Sequence, residues 1–309
     1  MRNFKAIAAA AMAAALCMGA AACGTSDAAD TAAAADNTGA KAYDVSKVAK
    51  DDAIAALVPD SVKSDGKLTV GMDTSYAPAE FLAEDGKTPV GFDVDISKAI
   101  GKVMGLETEN KVSNFDAIIP SVGSKYDIGI SSFTITPERM EAVDFVSFYK
   151  AGSAWVTRSG NPDQVDTADL CGRKVAVQTA TTQQEEVETM NEQCKADGKK
   201  GIEILSSALQ TDVTTNMATG KAVAFYADSP VAGYAISQTD GQLEALGEDT
   251  GVTKQGIVIQ KGDKAMDEAV QKAVQKIMDD GTYEGILKLW GVESGAIDKA
   301  EINPTDVSE

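Results

Sequence analysis

From Lys67 onward, short apolar runs alternate with amphipathic segments along this chain of 309 residues. The run LTVGM leads into a loop, and the later segment VGFDVDISKAIGKVMGL places Ile96, Ile100, Val103 and Met104 on one face of a helix. The same unit of strand, loop and helix recurs downstream. Strands that alternate with helices predict an α/β fold whose sheets are largely parallel and flanked by helices. The length fits two lobes with appendages better than one small domain.

Charge and composition narrow the function. The chain carries 28 basic and 47 acidic residues, a net charge of −19, which argues against binding to nucleic acid or to anionic lipid. It contains no histidine, which removes His-based triads, His metal sites and the most common general base near neutral pH. We therefore expect no metal and no cofactor. An enzyme would have to rely on Asp, Glu, Lys, Tyr or Cys.

The N-terminus indicates export. Arg2 and Lys5 precede an alanine-rich apolar run of about 17 residues, and small residues stand directly before Cys23. This pattern resembles a lipoprotein signal, in which the cysteine is acylated and becomes the mature N-terminus, although Ala20 stands where leucine is preferred. The alternative is a plain secretory signal that is cleaved nearby. A spanning helix is disfavoured because a bilayer requires roughly 20 apolar residues.

Two cysteines fall in the part of the chain that we expect to fold, Cys171 and Cys194. In an exported protein such a pair is expected to form a disulfide. It would close a loop of about 24 residues and stabilise the fold by roughly 3 kcal/mol in the loop-entropy description. The sequence offers no second cysteine pair that would indicate a metal site instead.

The segment DIGISSFTITPERMEAVDFVSFY predicts a receptor for a carboxylate. It is a buried strand followed by a polar turn and a short helix, with Thr136 as N-cap and a proline in the first helical position. Ser132 and Thr134 supply hydroxyls, and Arg139 lies in the first helical turn. A guanidinium, hydroxyls and free N–H groups at a helix start suit a carboxylate. The alternative is a capped surface helix whose arginine pairs with a carboxylate of the protein itself.

Two further candidates follow the first strand. In GMDTSYAPAEF, Asp73 would meet a cationic or amide side chain and Tyr76 would supply an aromatic wall. The alternative is an Asx-turn and a packed tyrosine. Phe115 would line the same pocket, but it also begins an apolar helix and fits the core equally well.

The remaining candidates stand at two later helix starts. Thr182 and Glu185 fit a capping box, and the helix start beside them would accept a second share of the carboxylate. Asp228, in YADSPV, follows an apolar strand and would hold an ammonium group. That role requires Ser229 to be the helix cap, and it shrinks if Asp228 is itself the cap.

Together these segments resemble a known family, the extracellular solute-binding proteins of family 3, which include the amino-acid-binding lipoproteins of bacterial ABC importers. The matching stretches come in family order over about residues 67 to 292: LTVGMDTSYAPAEF, VGFDVDISKAIG, FDAIIPSV, YDIGISSFTITPERMEAVDF, VAVQTATTQQE, AFYADSP and DDGTYEGILKLWG. Two positions depart from the family pattern. Ala79 stands where an aromatic residue is common, and Ala180 stands where glycine is usual.

The resemblance implies the type II periplasmic-binding-protein fold, in which two α/β lobes are joined by two crossing hinge segments and close on the ligand. It places the crossings near 154–158 and 256–260. The implied organisation is a signal peptide (1–22), a flexible tether from the lipidated Cys23 (23–42), an N-terminal helical extension (43–65), lobe one (66–156 and 257–309) and lobe two (157–256). In the extension, the sequence predicts a helix from Lys47 to Leu57. After about residue 292 it predicts a solvated tail.

The resemblance also assigns roles to the candidate residues. Arg139, Thr134 and Ser132 would hold the α-carboxylate and part of the ammonium group, with a further contact to the carboxylate from Thr182. Asp228 would hold the α-ammonium group. The residues that would face the ligand side chain are Asp73, Tyr76 and Phe115.

The implied function is an extracytoplasmic substrate-binding protein, lipid-anchored to the outer face of the cell membrane, that delivers an amino acid to an ABC permease. Asp73 favours a ligand with a basic or amide side chain. We expect a monomer without enzymatic activity. Two alternatives remain open: an enzyme on the same fold, similar to cyclohexadienyl dehydratase and using Glu80 or Glu185, and the ligand-binding subunit of a sensor.

Overall fold

The structure is a computed structural model, and it describes residues 41–308. The expected signal peptide (1–22), the lipidation site at Cys23 and nearly all of the expected tether (23–42) lie outside the described residues. Among residues 41–308, no helix combines the length and the apolar character needed to cross a bilayer.

Strands and helices alternate through the described chain. The strands are Lys67–Met72 (β1), Ser75–Tyr76 (β2), Glu80–Leu82 (β3), Pro89–Val90 (β4), Glu107–Val112 (β5), Ile128–Gly129 (β6), Val143–Arg158 (β7), Lys174–Gln178 (β8), Glu203–Ser207 (β9), Ala224–Asp228 (β10) and Leu243–Gln260 (β11). The α-helices are Asp52–Leu57 (α1), Asp60–Lys63 (α2), Phe92–Met104 (α3), Phe115–Ile118 (α4), Pro137–Ala142 (α5), Thr182–Ala196 (α6), Gln210–Ala218 (α7), Ser229–Ser237 (α8), Lys264–Asp279 (α9) and Thr282–Trp290 (α10). Short 3₁₀ turns occupy Val45–Lys47, Ile119–Ser121 and Glu293–Gly295.

In the described chain, one large mixed sheet has the strand order β5-β1-β6-β11-β7-β10-β8-β9. Its two ends are parallel, because β1 pairs in parallel with β5 and β6, and β8 pairs in parallel with β9 and β10. The long strands β7 and β11 lie between these ends and pair antiparallel. The predicted α/β fold with largely parallel sheets flanked by helices is therefore confirmed, and the antiparallel pair joins its two halves.

The long strands change neighbours along their length. Residues 153–156 of β7 pair with β10 in one half, whereas Val258 and Ile259 of β11 pair with β6 in the other. The register between the two long strands shifts in the stretch between Leu246 and Gly256 of β11. Residues 153–156, which the sequence assigned to lobe one, thus pair with a strand of the expected lobe two. The lobe boundaries themselves stay a prediction.

The helix predicted on the apolar spacing is confirmed as α3. Ile96, Ile100 and Val103 are fully buried, and Gly105 ends the helix in a left-handed conformation, with φ 74°. This helix packs on β1 and α9 within the largest hydrophobic cluster. Burial of each large aliphatic side chain contributes roughly 1.5–3 kcal/mol, so this face fixes the first half of the sheet.

The N-terminal extension forms a shorter helix than predicted. The helix begins at Asp52 instead of Lys47, because the side chain of Asp51 accepts hydrogen bonds from the N–H groups of Ala53 and Ile54. An N-cap aspartate of this kind fixes where a helix starts.

Cys171 and Cys194 are joined by a disulfide bond, with Cα atoms 5.6 Å apart. The bond ties the segment before β8 to α6.

The expectation of a solvated C-terminal tail is wrong. Residues 293–308 run along the long strands, where Ile302 forms a bridge with Val146 and Ser308 forms one with Thr253. Glu301 accepts hydrogen bonds from the N–H group of Ser147 and from Lys254, and its own N–H group donates to the Ser147 hydroxyl. These partners lie between 47 and 156 positions away in sequence, so no local pattern indicates how the tail packs.

Asn303 gives a test of the packed tail. Its side chain accepts a hydrogen bond from the N–H group of Phe145 at 2.8 Å and donates one to Asp144 at 2.8 Å. We expect Asn303→Ala to lower the free energy of unfolding by about 1–3 kcal/mol, because it leaves the N–H group of Phe145 without its acceptor and removes one donor from the buried Asp144. Urea denaturation measures the change. Asp306→Ala, at an exposed position on the same segment, is the control, and equal stability of the two variants would contradict the packed arrangement.

Candidate ligand-binding site

A small cavity lies between the two halves of the sheet. Every ligand-binding residue predicted from the sequence lines it. The predicted lining residues are Asp73, Tyr76, Phe115, Ser132, Thr134, Arg139, Thr182 and Asp228, and the further ones are Ser131, Gln178, Thr181 and Gln183. The structure thus brings the candidates together, while their role in binding stays a prediction.

The topology explains why these residues meet. Asp73 follows β1, Ser131 and Ser132 follow β6, Gln178 ends β8 and Asp228 ends β10. Within each half these strands run parallel, so their carboxyl ends share one edge of the sheet. In open α/β sheets, ligands bind at that edge.

Arg139 provides the positive charge of the cavity. Thr136 caps α5 as predicted, and its hydroxyl accepts a hydrogen bond from the N–H group of Arg139 at 3.2 Å. The guanidinium donates to the carbonyl of Thr134 at 2.9 Å and, from the other half of the sheet, to the carbonyl of Ala180 at 3.0 Å. It also lies over the ring of Phe115, 5.6 Å from the centroid. Desolvation lowers the pKa of Arg139, which nevertheless remains a cation because the ordinary value is so high.

The aromatic ring of Phe115 serves both roles that the sequence left open. It stacks on Phe133, with ring centroids 4.6 Å apart, and it also lines the cavity.

Asp228 provides a negative charge opposite Arg139. It occupies the N-cap position of α8, but its side chain makes no capping hydrogen bond. Its two oxygens instead accept hydrogen bonds from the amides of Gln183 and Gln255, each at 2.7 Å. Burial raises the pKa of Asp228 to about 6, against these stabilising hydrogen bonds. The carboxyl group is therefore not used as a cap, and its two hydrogen bonds favour the ionised form.

Asp73 and Tyr76 form the wall next to β1. Asp73 accepts the N–H of Ser75 at 3.0 Å, as in an Asx-turn, and it also accepts the N–H of Phe115 at 3.1 Å and the amide of Gln178 at 2.9 Å. Asp73 thus orders its own loop and also lines the cavity, while its contact with a ligand side chain stays a prediction. Burial raises its pKa. The hydroxyl of Tyr76 accepts the N–H of Asp228 at 3.2 Å.

The helix cap predicted at Thr182 lies one residue earlier. Thr181 is the N-cap of α6, because its hydroxyl accepts the N–H of Gln184 at 3.1 Å. Thr182 is the first helical residue and lines the cavity. Thr181 and Gln184 fit the same spacing as Thr182 and Glu185, so the sequence alone could not choose between them.

Sequence reasoning missed Gln178, Thr181 and Gln183 as lining residues. Gln178 joins Asp73 to the other half of the sheet, and Gln183 donates to Ser153 and Asp228. The position of Gln178 at a strand end was the available signal for it. Among residues 41–308, no cluster of three or more His, Cys, Asp or Glu side chains has the arrangement of a metal site.

Two halves of an α/β sheet that enclose a cavity with a buried carboxylate and a guanidinium define a ligand-binding protein. Residues 68–293 match the bacterial extracellular solute-binding proteins, family 3, and the chain belongs to that family. The resemblance inferred from the sequence motifs is thereby confirmed.

Relatives and solved structures agree with this assignment. The chain is 35% identical over 252 residues to the arginine-binding protein ArgT of Corynebacterium glutamicum, covering 81% of this chain and 82% of that protein. It is 28% identical over 232 residues to the L-cystine-binding protein TcyJ of Escherichia coli, covering 74% and 84%. A solved structure of an ancestral arginine-binding protein bound to arginine is similar with a TM-score of 0.67 and 33% identity, covering 73% of this chain and 98% of that one.

Asp228→Asn tests the buried charge without any ligand. Between the ordinary pKa of 3.8 and the raised value of about 6, the folded wild type binds more protons than the unfolded chain, so its stability falls as pH rises through this window. The stability of the variant does not fall in this way, because asparagine does not titrate. The amide of Gln255 can turn so that its oxygen accepts a hydrogen bond from the new asparagine of the variant. We expect its stability relative to wild type to rise by on the order of 2–3 kcal/mol between about pH 4 and pH 6.5. Urea denaturation curves that shift in parallel over this range would contradict the raised pKa.

Proposed function

We propose that this protein captures an L-amino acid outside the membrane and delivers it to an ABC permease. The observation that carries the proposal is the presence of Arg139 and Asp228 in one cavity. An amino acid is a zwitterion, and a guanidinium with a buried carboxylate complements its two charged groups. Arg139, with Thr134 and Ser132, would hold the α-carboxylate, and Asp228 would hold the α-ammonium group.

The charge of the cavity supports a ligand with a basic side chain. Its ionisable lining residues include the carboxyl groups of Asp73 and Asp228 and the guanidinium of Arg139. Once the α-groups of the ligand pair with Arg139 and Asp228, the charge of Asp73 remains without a cation. A basic side chain would neutralise it in a desolvated site, where such a pair is stronger than in water. An amide is the second choice, and the relative named for arginine agrees with this order.

Closure of the two halves would couple to binding. Hydrogen bonds already cross the cavity from Arg139 to Ala180 and from Gln178 to Asp73, and the N–H group of Gln210 donates to the Ser75 hydroxyl at 2.9 Å. A ligand held by groups from both halves favours the closed form over the open one, so it shifts the population toward closure. The long strands β7 and β11, which pair in both halves, would act as the hinge.

The proposal includes a place and a partner. The lipoprotein-like signal supports cleavage before Cys23, acylation of that cysteine and attachment to the outer face of the cell membrane by the tether. In this arrangement a monomer would pass its amino acid to a membrane permease. A fractionation experiment with Cys23→Ala distinguishes lipid anchoring from plain secretion.

Binding without turnover is part of the proposal. Of the two candidate acids for a dehydratase-like reaction, Glu80 is fully buried behind the cavity wall and Glu185 lies outside the lining residues. The relatives named above are binding proteins, which agrees with this view. Incubation with prephenate-like substrates is expected to give no product.

Arg139→Ala tests the carboxylate site. Charge-assisted hydrogen bonds contribute about 1.5–3 kcal/mol each, so loss of two such bonds is expected to weaken amino-acid binding at least about 100-fold. Calorimetric titration with arginine measures the effect, and circular dichroism checks that the fold is retained. Arg173→Ala, outside the cavity, is the matched control and should bind like wild type. Unchanged affinity of the Arg139 variant would refute the assignment.

A ligand panel tests the basic preference. In a thermal-shift screen of the twenty amino acids and cystine, we expect arginine and lysine to stabilise the protein most. Asp73→Asn should lower the ratio of arginine affinity to glutamine affinity by about tenfold or more, because it removes a charge that only the basic ligand uses. The ratio cancels any loss of loop order that both ligands share. Strongest stabilisation by acidic or aliphatic amino acids would overturn the preference.

A further inference from the structure

Behind the cavity wall, two carboxyl groups lie side by side in the protein interior. Glu80 belongs to β3 and Asp93 to the first turn of α3, and both are 0% exposed. The N–H group of Asp93 donates to the carbonyl of Ala79, the residue before Glu80, at 3.0 Å, so the two side chains start from neighbouring backbone and their carboxyl groups interact. Two ionised carboxylates in contact repel strongly, above all where water is absent.

Each carboxyl group uses one oxygen to hold a serine of the cavity wall. Glu80 Oε1 accepts the hydroxyl of Ser131 at 2.6 Å, and Asp93 Oδ2 accepts the N–H of Ser132 at 2.9 Å. The other oxygens, Glu80 Oε2 and Asp93 Oδ1, have no donor among residues 41–308. A buried carboxylate oxygen without a donor is costly, and a proton placed between two such oxygens removes the cost for both.

The groups that face this pair are themselves acidic. They include the carboxyl groups of Asp73 and Asp228 and the hydroxyls of Tyr76, Tyr149 and Tyr283. They come from the end of β1, the end of β10, β2, β7 and α10. Burial and this negative surrounding raise the pKa of both Glu80 and Asp93.

We propose that Glu80 and Asp93 share one proton at neutral pH and that this acid pair positions the Ser131–Ser132 turn of the ligand site. The positioning role rests on the proposed function, because the bound amino acid would contact the Ser131–Ser132 turn. Glu80 donates the shared proton to Asp93, and Asp93 accepts it together with the Ser132 N–H.

The turn needs such support. Ser132 has a φ of 48°, a left-handed conformation that costs a residue other than glycine on the order of 1 kcal/mol or more. Its N–H bond to Asp93 holds that conformation. The hydroxyl of Ser131 donates a hydrogen bond to Glu80 and accepts one from the N–H group of Asp73 at 3.0 Å. The pair therefore fixes the backbone of three residues that line the cavity, while its own carboxyl groups are not among the lining residues.

Glu80→Gln keeps the hydrogen bonds of a protonated acid but has no proton that can be released. Glutamine keeps a donor toward Asp93 and an acceptor for Ser131, so it imitates the protonated acid. Glu80→Leu keeps neither. Glu84→Gln, at an exposed position beyond the same strand, is the matched control for the chemical change.

The first measurement needs no ligand. Infrared spectra of the wild type and of Glu84→Gln at pH 7 to 8 should show the carbonyl band of a buried protonated carboxylic acid, and Glu80→Gln should lack it. Folded wild type binds this proton more tightly than the unfolded chain, so its stability falls as pH rises above the ordinary glutamate pKa. The melting temperature of Glu80→Gln relative to wild type should therefore rise by about 3 °C or more between pH 5 and pH 8. Absence of the band in wild type, or a constant difference in melting temperature, overturns the shared proton.

The second measurement tests the positioning role with arginine. Glu80→Gln should bind arginine within about threefold of wild type, whereas Glu80→Leu should lose about tenfold or more with its circular dichroism unchanged. If Glu80→Leu does not fold, Glu80→Gln still decides, because a loss as large as tenfold in that variant contradicts positioning by a neutral hydrogen bond. If wild type binds no amino acid at all, the proposed function fails, but the infrared and melting results still test the shared proton.

Discussion

A carboxyl group taken out of water must find hydrogen-bond donors, and this requirement organises the centre of the molecule. Asp228 is 6% exposed and takes its donors from Gln183 in α6 and Gln255 in β11. Asp73 is 1% exposed and takes one of its donors, Gln178, from the other half of the sheet. Each acid therefore holds together elements that are distant in sequence. Charge-assisted hydrogen bonds of this kind are about twice as strong as neutral ones, so these contacts define the cavity wall.

The long strands β7 and β11 make that arrangement possible. They carry residues of the cavity network, such as Ser153 and Gln255, and they pair with both parallel halves of the sheet. The C-terminal segment runs beside them and adds hydrogen bonds through Glu301 and Asn303. The C-terminal segment thus bonds to the same strands that connect the halves, and the register between these strands shifts between Leu246 and Gly256. Bending there would leave the parallel halves intact.

Local patterns predicted the elements whose signals are local. The spacing of Ile96 and Ile100 predicted α3, and Thr136 followed by proline predicted the start of α5. The strand ends predicted where polar groups would gather. The wrong predictions have two causes: two neighbouring residues fit the same cap pattern, or the contact joins residues that are distant in sequence. Thr181 and Thr182 offered two equivalent caps, and only the packed structure chooses one. The C-terminal segment bonds to residues about 158 positions away, so a polar composition was misread as a solvated tail.

The acids of this centre differ in what they require. Asp228 and Asp73 receive hydrogen bonds from neutral amides and N–H groups, which favour an ionised carboxylate. Glu80 and Asp93 lie next to each other, and each keeps one oxygen without a donor among residues 41–308. The first arrangement maintains negative charge where a ligand cation would sit. The Glu80–Asp93 pair, behind the cavity wall, carries less negative charge because it holds a proton. With no histidine in the chain, carboxyl groups perform both tasks, and their surroundings decide which one each performs. The low dielectric that favours a shared proton also strengthens the pairing of the cavity acids with a bound cation.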